Sequence, residues 1–278
     1  MMNGVFKMNA NTEIKLDDAI VDVMGLPLHD ITRGEIVTRV IDAVKGGRKM
    51  AIVNANAHMA VESQKHPWLR GLFRRADIAC CDGAGVQLAA RVLTGRSLPR
   101  TTPPEWIGPV LERLGPEASV FWIGGQPGVV DVAAETFSAR YGVRTVGTQH
   151  GFFDLTPGSR ESTQLLERLL ATKPDIILLT MGMPRQEIWL RDNIDHLPTG
   201  VFITAGALVD HAAGRVRRPP RWVANMGLEW LVRLMREPRR LWRRYVLGLP
   251  VFGFYVLVYL QRRLRLRATS PLSRKLAG

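Results

Sequence analysis

The chain has 278 residues, 46% of them hydrophobic and 23% charged, an ordinary globular composition that leaves no difficulty in burying a core. Its formal net charge of +13 is unevenly placed: from Ala212 onward 16 Arg or Lys stand against 2 Glu, so the preceding body is nearly neutral. The two cysteines, Cys80 and Cys81, are adjacent in an apolar stretch, where neighbouring strand residues point to opposite faces. That excludes a disulfide framework and reads as reduced core thiols in a cytosolic chain. The opening MMNGVFKMNANTEIKLDD, residues 1–18, lacks the apolar core of a signal peptide and is expected to be a disordered lead-in.

AIVDVMGLPLHD then reads as a strand, a Gly-Pro turn and a short return strand. Ile31 to Val44 carries apolar residues at helical spacing, with Thr32 as N-cap. KMAIVNANAH is a strand ending in Asn54, Asn56 and His58, and a helix follows toward His66-Pro67. ADIACCDG is the next strand, Ala84 to Leu93 a helix stopped by Thr94-Gly95, and LPRTTPPEW a loop into a helix of Trp106 to Leu114. The alternation continues with strands ASVFWIGG, VRTVGTQHG, DIILLTMG and GVFITAGALVD, between which Gly128–Tyr141, Ser159–Ala171 and Arg185–Ile194 are helices. Strands alternating with helices of 10–15 residues predict an α/β, Rossmann-like open sheet, mostly parallel and covered on both faces. The α/β domain is expected over 19–211.

From 212 to 278 the character changes to a basic helical appendage. Pro219-Pro220 opens RWVANMGLEWLVRLMREP, and Pro238 opens RRLWRRYVLGLPVFGFYVLVYLQRRLRLR. Val246 to Leu260 is free of charge but short of the roughly 20 residues a spanning helix needs. Gly248, Pro250 and Gly253 are expected to interrupt it. Both flanks are Arg-rich and both favour the cytoplasmic side, which a single span cannot satisfy. These features favour an amphipathic or re-entrant segment at the cytoplasmic face, with arginines on anionic headgroups, over a buried core helix with a solvated basic end.

Two turns carry the candidate chemistry. MGMPRQEIWL follows the strand DIILLT and turns into a helix with Gln186 and Glu187 in its first turn; DGAGVQLAA follows ADIACC and puts Asp82 where strand becomes helix. Such strand-to-helix turns at the carboxyl edge of a parallel sheet form ligand crevices, and the helix N-termini suit phosphate. Asp82 there is a general base for a hydroxyl nucleophile or a helix cap, the cap being the more frequent use. Asn54 and Asn56, spaced to share one face, bind sugar hydroxyls or satisfy turn backbone. Gly124-Gly125 and Gly147-Thr148-x-x-Gly151 permit close backbone approach to a ligand, and Gln186 holds a substrate or decorates a helix start. His58 and His150 have no partner at metal-ligand spacing and read as structural histidines. Arg233, Arg236, Arg239, Arg240, Arg243 and Arg244 recur at helical steps, either to clamp a diphosphate or as a lipid-facing stripe. No D-x-D is present to hold a divalent metal for a nucleotide-sugar enzyme.

Taken together, VNANAH, ADIACCDGAGVQLAARVL, VFWIGGQPGV, VGTQHGFF, GMPRQE, TAGALVDHAAGRVRRPPRWV and LEWLVRLMREPRRLWRRY resemble, in order and spacing, the WecG/TagA/CpsF glycosyltransferases. The resemblance runs from Val21 to Tyr245. It implies an inverting, metal-independent, cofactor-free transferase. Such an enzyme moves a sugar from a UDP-sugar to a polyprenyl-diphosphate-linked sugar in bacterial surface polysaccharide synthesis, peripherally bound at the cytoplasmic membrane. It also implies Asp82 as the catalytic aspartate. Asn54, Asn56, Arg100 and Gln186 fall in the substrate pocket, and Arg233, Arg240 and Arg243 are supplied by an appendage closing over the site. Gly124 and Gly125 are expected beside the nucleotide. Two places depart from the usual pattern. Asn54 stands where many members have Thr, and TTPPEW, with Glu105, stands where many have a T-G-x-D-like stretch. N-acetylmannosamine, its uronic acid and glucose are the donor sugars the resemblance allows.

Other classes compete. The pI of about 10.6 permits a nucleic-acid binder, against which stands a basic tail interleaved with apolar residues. A Rossmann-type dehydrogenase lacks its G-x-G-x-x-G fingerprint here. A non-catalytic, membrane-associated nucleotide-sugar-binding scaffold shares every feature but turnover. The partners expected are therefore the UDP-sugar, the lipid-linked acceptor and an anionic membrane surface, without nucleic acid. An exposed apolar tail also allows a homo-oligomer.

Overall fold

The structure is a computed structural model that describes residues 19–214 and 229–268. The expected lead-in, and Pro219-Pro220 with the start of the first tail helix, lie outside the described residues. A short antiparallel hairpin comes first, β1 (Ile20–Val23) and β2 (Leu26–His29). Its turn is Met24-Gly25, both at positive φ, and Pro27 lies inside the return strand rather than in the turn. Helix α1 (Arg33–Lys45) begins at Thr32 with a reciprocal cap: the Thr32 hydroxyl accepts from the Glu35 N–H, and the Glu35 carboxylate accepts from the Thr32 N–H.

The main sheet has six strands, all parallel: β3 (Met50–Ala55), β4 (Ile78–Cys81), β5 (Ser119–Gly124), β6 (Arg144–Gln149), β7 (Ile176–Thr180) and β8 (Val201–Thr204), in spatial order β4-β3-β8-β7-β5-β6. Every residue of β3, β4, β5, β7 and β8 is buried, as expected of a sheet covered on both faces. Aspartates standing just before two strands close the N-terminal edge. Asp77 accepts from the Ala51 N–H at 2.7 Å, and Asp175 accepts from the Ser119 N–H at 2.8 Å.

One face of the sheet packs on α2 (Ala57–Lys65), α3 (Pro67–Arg75), α4 (Ala84–Thr94), α7 (Arg160–Thr172), α8 (Arg185–Asn193) and the hairpin. The other packs on α1, α5 (Pro103–Leu114), α6 (Val129–Tyr141) and a short α9 (Leu208–Ala212). Two boundaries differ from the sequence reading. Helix α5 starts at Pro103 rather than Trp106, because two prolines occupy the first turn, where no N–H is needed. The last strand stops at Thr204, and Leu208 onward is helical. Cys80 belongs to the core on one face and Cys81 to that on the other, as alternation requires. Burial pushes both thiols up to about 12.

The C-terminal part continues as α10 (Glu229–Arg236), α11 (Pro238–Trp242), one π turn (Arg243–Leu247) and α12 (Gly248–Ala268). The helical path is not broken at Pro250 or Gly253; the irregularity is the π turn just before them, where the Gly248 N–H reaches back five residues to the Arg243 carbonyl. From Arg243 to Leu266 the helix is long and apolar enough to cross a membrane, by length and composition alone. In the structure it lies along α2 and α4. Phe252 is buried in the core; Tyr255, Val256, Tyr259 and Leu260 pack beside it; the Tyr259 hydroxyl donates to Gln64; and Arg263 donates to the Leu93 carbonyl. The opposite side exposes Val251, Phe254, Leu257 and Leu264.

Candidate active site

The carboxyl ends of β3, β4, β7 and β8 open on one cleft of about 880 Å³, and α10, α11 and the π turn form its outer wall. The sheet supplies Asn54, Asn56, Asp82, Thr180 and Thr204; the α4–α5 loop supplies Arg100; the start of α8 supplies Gln186; the C-terminal wall supplies Trp230, Arg233, Glu237, Arg243, Arg244 and Tyr245. Residues far apart in sequence thus meet at the strand ends, where parallel sheets bind ligands.

Asp82 extends β4, its N–H bonded to the Ala55 carbonyl at 2.8 Å. It is not the helix cap: Gly83, at φ 116°, holds that position and makes no capping bond. The carboxylate stands next to that cap residue, which has no side chain to offer the start of α4 (Ala84–Thr94). Asn56, in contrast, does cap, its Oδ1 accepting from the Met59 N–H at 3.1 Å. Asn54 is 2% exposed, and its amide donates to both the carbonyl and the hydroxyl of Thr204. Arg100 is held 3.8 Å from Glu105, which also pairs with Arg33 at 2.8 Å. The departure TTPPEW therefore places a carboxylate beside the pocket arginine.

Gln186 is fixed at both ends of its amide. Oε1 accepts from the Gly206 N–H at 3.2 Å, and Nε2 donates to Glu187 at 2.8 Å. That ties the start of α8 to the loop after β8. Glu187 is fully buried, and burial pushes its carboxyl up to about 7, while the Gln186 bond and the charge of Arg244 pull the other way. His58, in the first turn of α2, is held down to about 4, mainly by burial and then by Arg244, so the ring is neutral near pH 7. Arg244 thus acts on both elements of the body. His211 was not marked in the sequence, and neither the burial of Glu187 nor the reach of Arg244 to His58 and Glu187 was visible there, because each depends on a distant element.

Gly124 and Gly125 are not among the lining residues. Their missing side chains serve packing: a Cβ on Gly124 would lie 2.0 Å from the Thr180 hydroxyl, and one on Gly125 would lie 2.9 Å from Val209. Gly147 and Gly151 likewise make room, for Phe121 and for Gly124. His150 lies outside the cleft, its Nδ1 accepting from the Phe152 N–H. The side chain of Arg240 lies outside those described. Among the described residues no three His, Cys, Asp or Glu side chains cluster as a metal site would require.

A family model described as the glycosyl transferase WecG/TagA/CpsF family matches residues 21–267. The chain belongs to that family. For this glycosyltransferase the match spans body and C-terminal helices together, so the outer wall of the cleft is part of the family's unit. A sugar donor and an acceptor are the substrates such a family implies. The cleft offers one carboxylate at a strand end, the N-termini of α4 and α8, and cationic side chains from the opposite wall.

Proposed function

We propose that the protein is an inverting transferase carrying a sugar from a UDP-sugar to a polyprenyl-diphosphate-linked sugar at the cytoplasmic face of the membrane, in surface polysaccharide synthesis. The observation that carries this reading is the meeting of Asp82 with Arg233 and Arg243 across one cleft. Asp82 takes the proton of the acceptor hydroxyl. The oxygen attacks the anomeric carbon from the side opposite the diphosphate, the bond from that carbon to the diphosphate oxygen breaks, and UDP leaves with configuration inverted. Arg233, Arg243 and Arg244, with the helix N-termini, offset the charge that grows on the leaving diphosphate, so no metal is needed for that task. Asn54, Asn56, Arg100 and Gln186 surround the donor, and Gly124 and Gly125 support the turn behind it. Exposed apolar residues of α12, flanked by arginines, rest in the bilayer surface and bring the lipid-linked acceptor to the cleft. The transferred sugar is a hexosyl or N-acetylhexosaminyl group.

The test is acceptor-dependent UDP release in detergent micelles with EDTA, screening UDP-N-acetylmannosamine, UDP-N-acetylmannosaminuronate and UDP-glucose. Wild-type protein releases UDP with one donor, and Asp82→Asn lowers kcat by roughly 100-fold or more while UDP still binds. Wild-type turnover in Asp82→Asn overturns the base; loss of activity in EDTA, restored by a divalent cation, overturns metal independence.

A further inference from the structure

We infer that His211 is a positioning residue that latches α10 onto the body and aims Arg233 into the cleft without neutralising it. His211 lies in α9, directly after β8; Arg233 lies in α10; both line the cleft. The Arg233 guanidinium sits 3.2 Å from His211 Nε2. A guanidinium has no lone pair to offer and does not lose its proton in a protein. Nε2 must therefore be the acceptor, and the ring proton belongs on Nδ1. The far helix α12 has its own fastenings through Phe252, Tyr259 and Arg263. At α10 the His211 bond supplies a direct tie between body and outer wall.

The choice of acceptor has a chemical consequence. A carboxylate here would hold Arg233 as firmly but would cancel its charge. A neutral imidazole fixes the long side chain, removing the rotamer freedom an anion would otherwise have to freeze, and leaves the positive charge intact. One bond to His211 uses one of five N–H donors, so most of the fork can meet a diphosphate. The diphosphate part of this inference rests on the proposed reading of Arg233.

Four variants of the full chain, in detergent micelles, test it with two measurements: hydrogen exchange of the Glu229–Arg236 amides, and affinity for UDP by calorimetry. His211→Phe keeps a ring but no acceptor. It speeds exchange in α10 and weakens UDP binding by roughly 10- to 100-fold, the range expected for losing a hydrogen bond to a charged group. His211→Gln restores an acceptor and brings both measurements back to within about threefold of wild type on the same scale. His211→Glu keeps α10 docked yet weakens UDP binding, because the latch now carries a cancelling charge. Unchanged α10 exchange in His211→Phe, or failure of His211→Gln to restore it, overturns the latch. Arg233→Gln separates the two readings. If it leaves UDP affinity unchanged while His211→Phe still loosens α10, the diphosphate role of Arg233 falls and the latch stands.

Discussion

Glu187 has exchanged water for a hydrophobic core, and its carboxyl has risen from 4.5 to about 7 as a result. A folded-state value above the unfolded one means that the protonated form favours folding. Its contribution is full below about pH 4.5 and is lost as pH rises through 7. His58 runs the opposite way: its folded value of about 4 lies below 6.5, so its contribution is full above 6.5 and is lost as pH falls through 4. Between those limits the two slopes offset each other, and wild-type stability should vary little on their account. Substituting one exposes the other. Glu187→Gln keeps the bond from Gln186 and removes the titration. It should raise stability at pH 8 by about 3 kcal/mol, with the gain vanishing near pH 4. Urea denaturation midpoints at the two pH values check this; equal gains at both would show that the carboxyl is not the titrating group. None of this was readable in the sequence, where Glu187 looked like an ordinary first-turn carboxylate of an amphipathic helix. Burial, not residue type, makes the difference. By contrast, Asn54, Asn56 and Asp82 stand at or just after the ends of buried strands and Gln186 opens the helix after another, so the strand-to-helix rule brings them to the carboxyl edge of the sheet; Arg100, in the α4–α5 loop, was marked by the family resemblance alone.

At the scale of elements, the alternation of apolar strands with 10–15-residue helical patterns was enough to give the parallel sheet and most of its helices. The Thr32 cap was a local signal and stands where spacing put it, while Ser159, read as the first helical residue, is the N-cap of α7. The proline and glycine signals misled wherever position in the helix mattered. Pro103 and Pro104 occupy a first turn, so they begin a helix, and Pro250 follows a π turn inside a helix that continues past it. Gly124 and Gly125 have a packing reason that a sequence cannot show: Thr180 and Val209 occupy the space a side chain would need. Docking of α12 depends on an aromatic row that sequence periodicity left undecided between core and lipid. Phe252, 8% exposed, enters the core, while Phe254, 61% exposed, does not. Phe252→Ala should therefore loosen α12, since emptying a buried aromatic site costs about 3–5 kcal/mol when it cannot collapse. Phe254→Ala should leave docking intact. Trypsin cleavage at Arg262 and Arg263 measures the difference: rapid for the first variant, at the wild-type rate for the second. Equal rates would mean that Phe252 does not fasten the helix.

Over the whole molecule, the basic excess of the sequence lies in the C-terminal part, and most of the exposed large apolar side chains among the described residues lie on its helices. A nucleic-acid binder needs the first but not the second. Binding to vesicles should accordingly depend on anionic lipid and weaken as salt screens the arginines. Replacing the exposed pair Arg262 and Arg265 by Glu should lower the partition coefficient onto anionic vesicles. At about 1 kcal/mol per basic charge, the loss of the two charges alone lowers it by more than tenfold. Neutral vesicles should bind both proteins alike. Sedimentation with vesicles of the two compositions checks this, and equal binding of both proteins to anionic vesicles would remove the arginines from the account.

The fastening of α12 also sets how deep the molecule can sink. A hydrocarbon slab about 30 Å thick asks a helix to offer its whole circumference to lipid. Here one side of that circumference is already committed to α2 and α4 through Phe252, Tyr255, Val256 and Tyr259. A docked α12 can wet only its outer side, the side of Val251, Phe254, Leu257 and Leu264. On the proposed membrane-bound reading, the body would act as a float that holds the docked helix at the waterline, with the cleft at one height above the lipid.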